Sequence, residues 1–460
     1  MSREESIKRR KQFSAAECLA RIKPAPPVRR FLISWDAEAK ILRFGCGNGE
    51  DAVLVCSDQN LERGELANAS AAKLSAECVR QFVSGKGRIE SGGLLSGCQA
   101  LLRNYLYFPD ERLYVLLSVW CIATYVYPLF SHFGYLFLHS AFKRCGKTRV
   151  EELLSHLCFE ATVPLNAPTV PTIRDTATEG RTLILDTLER WKGKSPEAHS
   201  AAMELLDAGF RNGGTVAKMV PLGDGNWRRE MFPVYAPYVL AAISKESLTD
   251  TALDRSFVIE MHRKPITLKK QSYNFHRCEK ECRPARDAMY RWALENASAL
   301  ADSYNGVEHD VDALELNDRA ADIWKPLLAV ARVLGSGEAW QALTTLAVEM
   351  GRDPDALDRE RMRAIAASLR KHVNGNGAVV GMISDFVVHL FADGMEIEER
   401  DLHDMLVQWG FSQQAIRLDQ GPRRAWKLQD SKLEEIEREN APLSPSENVT
   451  TLTTYPSRPA

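Results

Sequence analysis

The sequence has almost no excess charge of either sign. Its 59 Lys and Arg residues nearly balance 61 Asp and Glu residues, which leaves a formal net charge of −2 at pH 7 over 460 residues. Because there is no global basic field, any contact with nucleic acid has to come from local basic patches. The apolar fraction of 45% and the charged fraction of 26% are typical of a soluble globular chain. The length predicts about two to four domains.

The sequence also lacks a secretion signal and a disulfide framework. Met1–Phe13 is charged and has no apolar core, and the ten cysteines are scattered without regular spacing. These features favour reduced thiols and a cytoplasmic location. Leu113–Leu138 contains no Asp, Glu, Lys or Arg, but Ser118, Thr124 and Pro128 interrupt it. We therefore expect a buried helix packed on a sheet rather than a membrane span, and no membrane partner.

A phosphate-binding loop is predicted after the apolar run Tyr135–Leu138, where Gly146-Lys147-Thr148 open a helical pattern. In such a loop backbone N–H groups surround the phosphates, the lysine reaches the terminal phosphates and the threonine hydroxyl holds Mg²⁺. The usual first glycine of the motif is replaced by Ala141. The predicted ATP-binding residues are Ala141, Phe142, Lys143, Arg144, Cys145, Gly146, Lys147 and Thr148. The alternative is a basic surface loop that contains Gly-Lys-Thr by chance.

A carboxylate for the metal is predicted at Asp186, which ends the apolar strand pattern RTLILD. The alternative for Asp186 is a turn residue at a strand end. ATPases of this kind usually place a glutamate directly after this aspartate to orient the attacking water. Here that position holds Thr187, and Glu189 is the nearest candidate for the catalytic base. Ser244, after the strand pattern Tyr238–Ile243, is a candidate sensor of the γ-phosphate or the water.

Arg255 ends a short helical pattern and leads into the strand pattern Ser256–Met261. Ring-forming ATPases present an arginine at this place to the nucleotide of the neighbouring subunit, where it stabilises charge on the transferring phosphoryl group. The alternative is an ion pair of Arg255 with Asp254 or Asp250. The first interpretation predicts a homo-oligomer, with a hexameric ring as one form.

Two basic turns are candidates for DNA contact. A predicted β-hairpin carries Trp227, Arg228 and Arg229 at its tip, and a stacking ring beside cations suits single-stranded DNA. The alternative is a solvated hairpin that packs its tryptophan on a neighbour. Near the C-terminus, two helical patterns (Ala378–Phe391 and Glu396–Trp409) and two strand patterns form a winged-helix pattern whose turn contains Arg423 and Arg424. Winged helices bind DNA or dock proteins, and both uses are open here.

Several segments together resemble the P-loop ATPase domains of phage, prophage and plasmid replication proteins. These domains are often fused to primase–polymerase modules and are largely catalogued as domains of unknown function. The segments are FKRCGKTRVEELL (142–154), RTLILD (181–186), LLDAGFRNGG (205–214), VYAPYVLAAI (234–243), LTDTALDRSFVIEMHRK (248–264) and NDRAADIWKPLLAVA (317–331). The resemblance extends from about Asp110 to Met350.

The resemblance implies a helicase-like or translocase-like ATPase that acts on single-stranded or forked DNA, with replication proteins as further partners. Carried over by position, it supports roles for Lys147, Thr148, Asp186 and Arg255, and it points to Arg319 and Trp324 in a helical lid. Arg319 then contacts the nucleotide, or it forms an ordinary ion pair with Asp318 or Asp322.

The sequence departs from the family where members typically read Asp-Glu-Ala-Asp and this chain reads Asp186-Thr187-Leu188-Glu189. The expected catalytic glutamate is absent, so turnover of ATP is in question. This departure favours one alternative, an ATP-switched DNA-binding adaptor or loader with weak hydrolysis. Another alternative, which the sequence does not distinguish from these, is an ATPase subunit of a mobile-element defence system.

The expected fold is an α/β P-loop NTPase core of the AAA+ or RecA-like type. We expect a flexible lead-in (1–29), a small N-terminal α+β domain (30–107), the ATPase core (108–265), a helical lid (266–350), a C-terminal winged helix (351–430) and a charged helix with a disordered tail (431–460).

Overall fold

The computed structural model describes residues 30–47, 53–58, 61–62, 73–140, 144–194, 196–221, 226–352, 356–393, 395, 397–418 and 421–439. The N-terminal part contains an antiparallel four-stranded sheet and two helices. They are β1 (Arg30–Asp36), β2 (Ile41–Gly47), β3 (Val53–Cys56), β4 (Leu61–Glu62), α1 (Ala76–Val83) and α2 (Ser91–Tyr105). The ring of Phe44 lies 5.2 Å from that of Tyr290 and 5.4 Å from that of Phe159. The N-terminal strands therefore share the main hydrophobic core.

The apolar run of the sequence forms a buried helix, as expected. Helix α3 (Arg112–Ala123) is buried from Leu113 to Ala123, and a helix that is apolar on all sides belongs in the interior of a protein. The indole N–H of Trp120 donates to the carbonyl of Gly134 at 2.9 Å, just before the central sheet. Across the described ranges, no helix is both long and apolar enough to cross a membrane.

A parallel five-stranded sheet forms the centre of this mixed α/β fold. Its strands are β5 (Tyr135–His139), β6 (Leu165–Asn166), β7 (Leu183–Asp186), β10 (Tyr238–Ala242) and β11 (Ser256–Glu260). Their order is β11-β5-β10-β7-β6, and β5 and β10 are buried along their whole length, as apolar strands of a parallel sheet are. Because β10 lies between β5 and β7, the residues that follow these three strands meet at one edge of the sheet.

Helices and a hairpin connect these strands. The helices are α4 (Lys147–Leu157), α5 (Val170–Thr178), α6 (Glu189–Lys194), α7 (Pro196–Gly209) and α8 (Asp250–Leu253). The predicted β-hairpin is confirmed as β8 (Thr215–Pro221) and β9 (Trp227–Pro233), with Thr215 opposite Pro233. Arg174 of α5 lies over the ring of Phe232 at 4.1 Å, so helix α5 covers one face of the hairpin.

Four helices follow the sheet: α9 (Phe275–Gly306), α10 (Glu308–Asp312), α11 (Asp318–Leu334) and α12 (Gly337–Arg352). Trp324 of α11 is buried and packs edge-on against Phe257 of β11, with ring centroids 4.8 Å apart. Trp324 is thus a core residue that fastens α11 to the sheet.

The C-terminal part has its own hydrophobic core, to which Phe386, Leu402 and Trp426 belong. It contains α13 (Ala356–Arg370), β12 (Ala378–Gly381), α14 (Ile383–Ala392), α15 (Glu399–Gln408), β13 (Gln413–Leu418), β14 (Gly421–Gln429) and α16 (Asp430–Glu439). The strands form an antiparallel sheet of order β12-β14-β13. The helical pattern predicted to start at Ala378 was wrong for its first residues, because Val379 and Val380 pair with β14.

Candidate functional site

The segment between β5 and α4 turns sharply before the helix begins. Arg144 has φ 67° and Gly146 has φ 87°, both in the left-handed region. A Cβ at position 146 would fit, because its nearest neighbour, Met261, would be 4.0 Å away. Glycine is therefore favoured here by the positive φ and not by a lack of space. Alternating backbone conformations of this kind make concave, anion-binding arrangements of N–H groups. The other predicted loop residues, Ala141, Phe142 and Lys143, lie outside the described residues.

Lys147 is the first residue of α4, and its ammonium group donates to the carbonyl of Ser140 at 3.3 Å. Burial lowers the pKa of Lys147, and the carboxylates of Glu189, Asp186 and Glu151 act in the opposite direction. These three carboxyl groups are therefore within electrostatic range of the lysine. Thr148, the predicted metal ligand, is exposed at the helix start.

Asp186 is the last residue of β7, at the same edge of the sheet as Lys147. One of its carboxylate oxygens accepts a hydrogen bond from the backbone N–H of Thr187 at 2.6 Å. Burial raises the pKa of Asp186, and the nearby charge of Glu189 acts in the same direction. A partly buried carboxylate at the end of a parallel strand is suited to hold a hydrated Mg²⁺ ion.

Thr187 occupies a strained backbone conformation, with φ 58°. A β-branched residue rarely adopts this left-handed conformation, and such outliers concentrate at functional sites. Its hydroxyl is buried and has no hydrogen-bond partner among the described residues. The position that usually holds the catalytic glutamate is thus strained and uncharged.

Glu189 begins α6, and within the described chain one of its carboxylate oxygens is buried without a hydrogen-bond partner. Ser244 lies just past β10, where its hydroxyl accepts from the backbone N–H of Glu246 at 3.2 Å. Since β10 lies between β5 and β7 in the sheet, the strand order places Ser244 between Lys147 and Asp186. The structure therefore brings four predicted residues to one edge of the sheet: Lys147, Asp186, Glu189 and Ser244.

The sequence interpretation missed Glu151, one helical turn after Lys147. Its side chain is fully buried, although Glu is almost never fully buried unless it is paired. Burial and the charge of Asp186 raise the pKa of Glu151 from 4.5 to about 8. A signal was present in the sequence, because Glu151 stands three residues before Leu154, on the apolar side of the helix.

Arg255 lies at the opposite edge of the sheet from Lys147. It directly precedes β11, and its carbonyl accepts from the backbone N–H of Tyr135, the first residue of β5. A five-residue strand is about 16 Å long, so the two edges are well separated. The guanidinium pairs with Asp207 instead of Asp254 or Asp250.

Arg319 lies beside Arg255 rather than beside Lys147. The guanidinium carbons of Arg319 and Arg255 are 5.1 and 5.4 Å from the centroid of one ring, that of Phe210. Arg319 also forms the ion pair with Asp322, at 3.2 Å. His132 stacks on the same ring at 4.9 Å. We call Arg255, Arg319, Phe210, His132 and Asp207 the arginine cluster.

The first residues of β9, next to the tip of the hairpin, are open to solvent, and the tip itself (222–225) lies outside the described residues. Trp227 is 61% exposed, and Arg228 and Arg229 are exposed as well, so the expected alternative of a packed tryptophan does not apply. Exposed Met219 and Met231 lie on strands β8 and β9 close to this tip. Arg423 and Arg424 lie in β14, but their side chains are outside the described part.

The C-terminal part contacts the core beside the loop. The guanidinium of Arg263, just after β11, lies 3.0 Å from a carboxylate oxygen of Asp401 and 3.1 Å from one of Glu398, both near the start of α15. A cavity of about 850 Å³ lies at this junction, and Lys147 and Asp186 do not line it.

A family described as "Protein of unknown function (DUF3631)" matches residues 260–381, which is less than half of the chain. No curated protein matches.

Two similar solved structures are described as "The A form apo structure of NrS-1 C terminal region-CTR" and "SCCmec type IV Cch - active helicase". The first is 11% identical, covers 86% of this chain and 96% of that chain, and has a TM-score of 0.29. The second is 10% identical, with coverages of 88% and 95% and a TM-score of 0.32. TM-scores in this range do not establish a shared fold.

Proposed function

We propose that this chain is an ATP-dependent, helicase-like or translocase-like ATPase that acts on DNA in mobile-element replication. The observation that carries the proposal is the convergence of Lys147, Asp186, Glu189 and Ser244 at one edge of a parallel sheet, beside a strand–loop–helix connection. Ligands of α/β proteins bind at the carboxyl ends of parallel strands, and the first turn of α4 adds free N–H groups for phosphate.

The residues present fit a nucleotide with its metal ion. Lys147 binds the terminal phosphates, while the Thr148 hydroxyl and the Asp186 carboxylate would hold Mg²⁺. The ion supplies charge neutralisation on the phosphates when it is bound. Glu189, with a buried oxygen that lacks a partner in the described structure, orients the attacking water and takes its proton. Ser244 lies between the two sides and reports the state of the γ-phosphate.

Arg255 completes the site of a second copy of the chain. Since it lies about one strand length from Lys147 in its own chain, it is too distant to stabilise phosphoryl transfer there. In a ring of identical subunits, the arginine cluster of one subunit faces the nucleotide edge of the next. The proposal therefore includes a homo-oligomer, such as a hexamer.

DNA contacts are assigned to the hairpin tip and the C-terminal part. The exposed ring of Trp227 stacks on a base while Arg228 and Arg229 contact the backbone of single-stranded or forked DNA. The C-terminal part acts as a winged helix in which strand β14 carries Arg423 and Arg424.

Steady-state ATP hydrolysis by purified protein, with and without single-stranded DNA, tests the proposal. We expect DNA to stimulate hydrolysis, and Lys147→Ala to abolish both hydrolysis and ATP binding while the circular dichroism spectrum stays unchanged. Wild-type hydrolysis that does not respond to any DNA would contradict the helicase-like function. Failure of the wild-type protein to bind ATP would contradict the nucleotide site as well.

Thr187 favours a second candidate, an ATP-switched adaptor that assembles on DNA without unwinding it. The position is strained and uncharged, which suits nucleotide binding better than fast hydrolysis. The adaptor predicts ATP-dependent oligomers with negligible turnover in the assay above. Rapid wild-type turnover would exclude it.

A further inference from the structure

Two adjacent glutamates of helix α4 have opposite environments. Glu152 is partly exposed and accepts from the Nε of Arg149 at 3.0 Å. Glu151 is fully buried, and neither of its carboxylate oxygens has a hydrogen-bond partner in the part of the chain that the structure describes. An unpartnered buried carboxylate is costly, so its retention requires a physical reason.

The helix directs Glu151 towards the nucleotide edge. Residues four apart lie on the same face of an α-helix, and helical side chains point towards the N-terminus. Glu151 therefore points back towards Lys147, the first residue of α4. The charges of Asp186 and Lys147 raise and lower the pKa of Glu151, respectively, which agrees with this placement.

The local charges call for a cation. The carboxyl groups of Glu151, Asp186 and Glu189 lie within electrostatic range of a single ammonium group, that of Lys147. No group of three His, Cys, Asp or Glu side chains in the described ranges is arranged to ligate one metal ion directly. Mg²⁺ is commonly held by one or two carboxylates and by phosphates, and it keeps several waters. A further carboxylate near such an ion acts through a water.

We propose that Glu151 is a positioning residue for the hydrated divalent cation that accompanies the nucleotide, accepting hydrogen bonds from water in the shell of that ion. This inference rests on the proposed ATPase function and deepens it. Glu151 supplies, from helix α4, the carboxyl group near the metal that Thr187 does not supply from the strand end.

The test is the Mg²⁺ dependence of nucleotide binding. A fluorescent, non-hydrolysable ATP analogue is bound to wild-type protein, Glu151→Gln and Glu152→Gln over a range of Mg²⁺ concentrations and in EDTA. Removing a residue that acts on a metal through a second layer of contacts typically weakens metal affinity by about 10- to 100-fold. We expect that shift in the Mg²⁺ midpoint for Glu151→Gln, unchanged binding in EDTA, and wild-type behaviour for Glu152→Gln.

The outcomes separate this proposal from the general function. If the wild-type protein does not bind the analogue at any Mg²⁺ concentration, the ATPase function itself fails. If it binds and Glu151→Gln has the wild-type Mg²⁺ midpoint, only the role of Glu151 is overturned. Should Glu151→Gln not fold, Glu151→Asp keeps the charge but shortens the side chain. A wild-type midpoint in that variant overturns the role equally.

Discussion

At the C-terminal edge of the parallel sheet, Lys147 begins helix α4, and Glu151 of that helix is buried without a hydrogen-bond partner among the described residues. At the N-terminal edge, Arg255 and Arg319 stack on one ring and each has a carboxylate partner. The first edge is prepared for a ligand that adds hydrogen bonds and positive charge. The arginines of the second edge already have carboxylate partners, so they must exchange these partners before they act on another molecule.

The largest expected effect is that of removing Arg255 from the arginine cluster. Arg255→Ala should lower DNA-stimulated ATP turnover about 1,000-fold, because a finger arginine contributes a factor of about 10³–10⁵. Binding of the ATP analogue should stay close to wild type, since Arg255 lies at the far edge of its own subunit. Turnover and analogue binding are measured on the same preparation.

Mixing two variants tests whether Arg255 of one subunit acts on the nucleotide bound at Lys147 of a neighbouring subunit. Arg255→Ala and Lys147→Ala proteins, each inactive alone, are mixed in equal amounts. If the finger acts between subunits, mixed oligomers contain intact sites and activity returns. If the mixture stays inactive while mixed oligomers form, Arg255 does not act between subunits.

The pH dependence of stability tests the cost of burying the Glu151 carboxyl group without a hydrogen-bond partner in the described structure. The pKa of Glu151 is raised from 4.5 to about 8 in the folded state, so the folded protein holds a proton that the unfolded chain releases. Stability therefore falls as pH rises between these values. Without Mg²⁺, the unfolding free energy of Glu151→Gln minus that of the wild type should increase by on the order of 1–3 kcal/mol between pH 5 and pH 8.

Urea unfolding at the two pH values measures this gain, and Glu152→Gln is the matched control. An equal change in both variants would show that Glu151 is not specifically strained. A gain at high pH together with weaker Mg²⁺ binding would place stability and function in opposition at one residue.

The smallest expected effect concerns the hairpin. Trp227→Ala should weaken single-stranded DNA binding by about 1–3 kcal/mol, the range for base–aromatic stacking. Protein stability should stay within about 0.5 kcal/mol because the ring is exposed. Fluorescence anisotropy with labelled oligonucleotides measures the affinity. Met231→Ala on the same hairpin is the control, and an equal loss in both variants would argue against stacking.

Several elements could be predicted because their signals are local. The strand–loop–helix at Lys147, the strand that ends at Asp186 and the hairpin with Trp227 each depend on a short apolar pattern beside turn residues. The local pattern is wrong at Ala378, because the β-branched residues Val379 and Val380 pair with the distant strand β14 and do not begin a helix.

Partners distant in sequence could not be predicted. The sequence offered Asp254 and Asp250 for Arg255, but the ion pair is with Asp207, 48 residues away. Arg319 was expected either near a nucleotide or in a local ion pair. The structure adds the shared ring of Phe210, which joins it to Arg255.

By itself, the sequence determined which segments become strands, helices and turns, because periodicity and turn chemistry act over a few residues. Tertiary structure decided which ends of those segments meet. The order of the strands sets Asp186 beside Lys147 and places Arg255 at the far edge, and the packing of α4 buries Glu151. These outcomes depend on burial and charge across the whole sheet, which no short window of the sequence contains.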